Sequence, residues 1–151
     1  MVKPLAVKCA RHAEEWCESA ARELKTAEVL RATGRDWPNV YWHAGFSVEM
    51  MFKGIRVKLD DLEEWPPSNK GKKWHNVVFL MEKTSLKTAV TTESGRDQAF
   101  SAYWLTVKDW EQERRYPGNL PTQREARDLL TAVANPTSGV MRWLLRTYHS
   151  I

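Results

Sequence analysis

The chain has 151 residues, the length of one domain able to bury a core without disulfide or metal support. With 42% hydrophobic and 28% charged residues, its composition is that of a globular protein, and no apolar run approaches the roughly 18 residues of a membrane span. The net charge of +4 permits an anionic partner such as RNA but speaks only to non-specific attraction.

The first residues, MVKPLAVKCARHAEE, become charged too soon for a secretion signal, so a cytoplasmic protein is expected. Pro4 suits the first turn of a helix. Ala6, Ala10, Ala13, Cys17, Ala20, Leu24 and Ala27 then recur in steps of three and four, predicting a first helix of 28 residues or so with a small-residue face. Cys9 and Cys17 lie two turns apart on that helix, too far to bridge, and read as small buried hydrophobes. The four histidines, His12, His43, His75 and His149, show no CxxC or HxxxH spacing, so neither a metal site nor a cofactor is expected.

Gly34 should end the first helix, and a short link implies an antiparallel neighbour. Val40, Ala44, Val48, Met51, Ile55, Leu59 and Leu62 continue the helical spacing, and Phe46 and Phe52 broaden the apolar sector. The segment Val40–Leu62 is therefore predicted to be a central helix packed on several sides. Within it Glu49 and Lys53 lie one turn apart, the spacing of a surface ion pair worth a few tenths of a kcal/mol. The run EEWPPSNKGKK breaks the pattern and reads as an exposed loop with a lysine-rich tip.

From Trp74 the sequence WHNVVFLMEKTSL predicts a third helix opened by His75, and KTAVTTESGRD reads as a loop with Ser94 or Asp97 as a cap for the next helix. Phe100, Tyr103, Trp104, Val107 and Trp110 give that fourth helix, which stops before RRYPG, where Pro117 and Gly118 turn the chain. Thr122 and Glu125 form a capping box ahead of a fifth helix, which Pro136 should kink or divide before VMRWLLRTYH resumes it. With no paired strands in view, the chain is predicted to be a single all-α domain over residues 1–151, an up-and-down bundle of about five helices. The eight tryptophans can fill such a core or sit on a partner-binding surface.

Four features occur in one order: the long first helix, AGFSVEMMFKGI, the histidine of WHNVVFLMEK, and RRYPG before a capped helix. This order resembles the HEPN family of small prokaryotic helical bundles over nearly the whole chain. The family pattern A-x-x-A-V-E-x-x-x-K-A is met at Val48, Glu49 and Lys53, with Ser47 and Gly54 in place of alanines. His75 matches the family histidine, with Val77 where leucine is usual, and Arg115, Tyr116 and Pro117 match the Arg-Tyr-Pro of one subgroup. The resemblance implies a homodimeric, HEPN-like bundle that binds nucleotides or RNA. Such bundles occur in toxin–antitoxin or RNA-directed defence systems, often beside a nucleotidyltransferase. It singles out Glu49, Lys53, His75, Arg114, Arg115 and Tyr116 as ligand-binding residues. Arginine offers phosphate a two-pronged fork and lysine a point charge, while Tyr116 and Pro117 fix the turn.

Catalytic members of the family cleave RNA without metal, using an arginine and a histidine with four to six residues between them. The histidine moves a proton and the arginine stabilises charge on the phosphate. Here Arg142 and His149 have that spacing and share a helix face, about 10.5 Å apart along the axis. A metal-independent ribonuclease is thus an alternative expectation, and a non-catalytic protein-interaction subunit with exposed tryptophans is another.

Overall fold

The computed structural model describes residues 12–151, which form seven α-helices and no strand. They are α1 (Ala13–Thr33), α2 (Trp37–Leu59), α3 (Val77–Lys83), α4 (Lys87–Arg96), α5 (Gln98–Lys108), α6 (Gln123–Ala134) and α7 (Val140–Ser150). Two short 3-10 turns, Lys72–His75 and Gln112–Arg115, precede α3 and follow α5. The all-α expectation holds, with more helices than expected. Pro4 and Cys9, assigned to the first helix, lie outside the described residues.

Between α1 and α2 the chain reverses at Gly34 and Asp36, both in the left-handed region at φ 66° and 56°. Pro38 sits in the first turn of α2, where its missing N–H costs nothing, so α2 begins earlier than the Val40 start expected. Thirteen of the 23 residues of α2 are buried, and it packs against α1, α3, α6 and α7. Val40, Ala44, Val48, Met51 and Ile55 face the core as predicted, whereas Leu59 is exposed. α2 ends at Leu59, short of the expected Leu62, and Asp61 takes a left-handed φ of 49° just beyond.

One further departure has a local cause. Residues 87–96, read as a loop, form α4, whose only buried residues are Val90 and Glu93. Thr91 and Thr92 donate their hydroxyls to the carbonyls of Lys87 and Thr88, each at 3.0 Å, so these β-branched residues are accommodated inside the helix. Pro136 divides the last predicted helix outright into α6 and α7, because Asn135 is driven to ψ 125° ahead of it. The capping box at Thr122 and Glu125 is present, and Asp97 caps α5 through the Phe100 N–H.

Candidate functional site

One stripe of α2, made by Trp42, Gly45, Glu49 and Lys53, organises the site, and each of its layers is covered from a different part of the chain. The Arg115 guanidinium lies 5.2 Å from the Trp42 ring centre. Trp110 presses on Gly45, where a Cβ would fall 2.2 Å from the indole. His75 meets Glu49, and Trp16 and Trp65 enclose Lys53.

Glu49 is fully buried, and its Oε1 accepts from Lys53 Nζ at 2.8 Å and from His75 Nδ1 at 2.7 Å. Its Oε2 is buried with no hydrogen-bond partner among the described residues. The Lys53 side chain is 9% exposed, with its ammonium 5.5 Å and 5.4 Å from the centres of the Trp16 and Trp65 rings. The surface ion pair expected from the spacing is therefore an interior one. Trp65 closes it by folding the loop after α2 inward, donating its indole N–H to Asn69 O at 3.0 Å and packing edge-on against Trp16 and Trp74. Of the loop expected to be exposed, Glu64, Trp65, Pro66 and Asn69 are half-buried, while Glu63, Pro67, Ser68 and the tip from Lys70 to Lys73 are exposed.

His75 does not open α3 but ends the 3-10 turn before it, and Asn76 caps α3 by accepting from the Phe79 N–H at 2.8 Å. The turn sets His75 between buried Glu49 and a cleft of about 470 Å³. Lys72, Lys73, Phe79, Glu111, Gln112 and Glu113 are among the other residues lining the cleft. Lys72 pairs with Glu113 at 3.2 Å across it, and this contact helps hold the Glu113 carboxyl below its usual range, behind a hydrogen bond from the Glu113 backbone.

The two arginines before Tyr116 have different fates. Arg114 grips both carboxylate oxygens of Glu125, the capping-box acid, and also donates to Asn119 O at 3.1 Å and Leu120 O at 3.3 Å. This contact holds the Glu125 carboxyl at about 2 and pushes the Arg114 guanidinium above its usual range. Arg114, a candidate ligand-binding residue, thus tethers the 3-10 turn to α6. Arg115 is exposed, stacked on Trp42 and 5.5 Å from the Tyr116 ring centre, with no hydrogen bond or ion pair among the described residues. Trp42 in turn stacks on Phe46 at 4.6 Å.

Arg142 and His149 stand apart from this stripe. Both are exposed on α7 and line an open cleft of about 850 Å³ with Leu24, Met141 and Arg146, and Arg142 donates to Pro136 O at 2.9 Å. The exposed tryptophans of the interaction reading are not found. Trp74, Trp104, Trp110 and Trp143 are buried, and Trp16, Trp37, Trp42 and Trp65 are half-buried. Sequence reasoning missed the roles of Trp16, Trp65 and Trp110 around α2, since aromatic spacing within one helix carries no signal of which other helix it meets. No family model, curated protein or solved structure matches the chain.

Proposed function

We propose that this protein is a HEPN-type nucleotide- or RNA-binding helical module, seated on the His75 cleft and edged by Arg115. The observation that carries the reading is the contrast between two adjacent arginines. Arg114 is consumed by Glu125 and two carbonyls, while Arg115 lies exposed on Trp42 and Tyr116 with no hydrogen bond or ion pair among the described residues. An arginine laid on an aromatic ring keeps its fork oriented for a phosphate, and the neighbouring rings suit a base. The 3-10 turn that ends in Arg115 also places Gln112 and Glu113 in the cleft that holds Lys72 and Lys73. Glu111 and Glu113 offset those lysines, which favours a nucleotide or a short RNA stretch over a long phosphate track. The proposed setting is a toxin–antitoxin or defence system, with the protein acting as a homodimer or beside a nucleotidyltransferase.

Titration of labelled ATP and a labelled RNA oligomer against the Arg115→Ala protein tests the reading. Loss of charge-assisted phosphate contacts should weaken binding about tenfold and lower the salt slope by about one. The melting temperature should stay at the wild-type value, because Arg115 makes no hydrogen bond among the described residues. Unchanged affinity would remove Arg115 from the site.

A second reading, the metal-independent ribonuclease, is favoured by Arg142 and His149 opening onto one cleft with Arg146 between them. Incubating the same RNA with wild-type and His149→Ala proteins separates the two. Cleavage that disappears with the substitution selects the nuclease, and intact RNA in both selects the binding module.

A further inference from the structure

Resting on the nucleotide-binding reading, we propose that His75 makes its cleft selective for a sugar hydroxyl, so that the site takes a ribonucleotide in preference to a deoxyribonucleotide.

The surroundings of the imidazole decide where its proton sits. A carboxylate only accepts hydrogen bonds, so the 2.7 Å contact between Glu49 Oε1 and His75 Nδ1 requires the proton on Nδ1. In the neutral ring Nε2 is then left with a lone pair. Nε2 makes no hydrogen bond among the described residues, and it is not among the buried unpartnered nitrogens. It therefore reaches the open side of the ring, where His75 lines the cleft. The neutral ring thus presents an acceptor to whatever enters.

The orientation is imposed from behind. Glu49 cannot turn freely, because the same Oε1 also receives Lys53, which is itself enclosed by Trp16 and Trp65. Glu49 is thus a positioning residue, and His75 is the one that would touch ligand. Around it, Lys72 and Lys73 can only donate and suit a phosphate, and the Phe79 ring, with the Lys73 ammonium 5.7 Å from its centre, lines the same cleft. Of the two acids, Glu113 is engaged by Lys72 at 3.2 Å. A ligand joining an anionic group, a hydroxyl and a flat ring fits this set. A site that hydrogen-bonds a hydroxyl rejects the analogue lacking it, and the 2′-hydroxyl is the group by which proteins separate RNA from DNA.

The test is calorimetric titration of the protein with AMP, 2′-deoxy-AMP and 3′-deoxy-AMP at pH 8. The wild-type protein should bind AMP about tenfold more tightly than at least one deoxy form, the ratio expected for one well-made hydrogen bond. His75→Phe keeps an aromatic ring but has no acceptor, so it should bind all three within about twofold, at the deoxy level. Nitrogen NMR of wild-type His75 should show Nε2 as the unprotonated nitrogen, and Glu49→Gln should end that exclusive assignment.

Equal affinity of the wild type for all three ligands, absence of binding, or a proton on Nε2 would each overturn the proposal. So would a ratio that survives His75→Phe, which would give the selectivity to Glu111. Arg115→Ala should weaken all three ligands alike and leave the ratio in place. Dependence on Arg115 without discrimination therefore sinks this inference while sparing the broader reading, and discrimination without that dependence does the reverse.

Discussion

Replacing Glu49 by leucine is expected to destabilise the protein by about 3–5 kcal/mol, the cost of leaving a buried charge unpaired. Among the described residues Lys53 has only Glu49 as a hydrogen-bonding partner, and its surroundings are two indole rings that attract a cation weakly by comparison. Without the carboxylate, the ammonium must be neutralised or drawn out between Trp16 and Trp65. Lys53→Met should be costly for the mirror reason, since it strands the carboxylate beside a His75 that covers only one of its oxygens. The double substitution Glu49→Met with Lys53→Met removes both charges and should return to within about 1 kcal/mol of wild type, as well-packed apolar replacements of buried pairs do. Urea unfolding of the four proteins reads this directly. A Glu49→Leu protein within about 1 kcal/mol of wild type would show that the pair is not held in a dry interior.

The second large effect is expected from one added methyl. Gly45→Ala would place a Cβ at 2.2 to 2.3 Å from three atoms of the Trp110 indole, and Trp110 is only 2% exposed. A Cβ so close forces α2 or the indole to shift, and overpacking should cost about 2–3 kcal/mol. Residues Glu111, Gln112 and Glu113 come directly after Trp110 and line the His75 cleft, so displacement of the indole should also weaken nucleotide binding. Thermal melting checks the first consequence and titration of ATP the second. A variant melting within about 2 °C of wild type would mean that α2 and Trp110 do not meet this closely.

How much of this was legible depends on whether the cause was local. The central helix was readable because Val40, Ala44, Val48, Met51 and Ile55 each report burial through a periodicity contained in one segment. The capping box at Thr122 and the break at Pro136 were readable for the same reason. α4 was not, because a helix burying only Val90 and Glu93 has no apolar stripe to read. The candidate site divides along the same line. The spacing of Glu49 and Lys53 showed that they could pair, yet their burial is set by Trp16, 33 positions before Glu49, and by Trp65, 16 after it. Likewise nothing in the dipeptide Arg114-Arg115 says which arginine is spent inside the fold. That is decided by Glu125 arriving on α6 with the right reach.

The enclosure around Lys53 draws its two rings from α1 and from the loop after α2, while the charges belong to α2 itself. α2 alone therefore carries the acid–base pair without an anhydrous shell for it. A species with α1 undocked would hydrate the ammonium, loosen the carboxylate and let the imidazole spin, so ligand discrimination and cooperative folding would be lost in the same event.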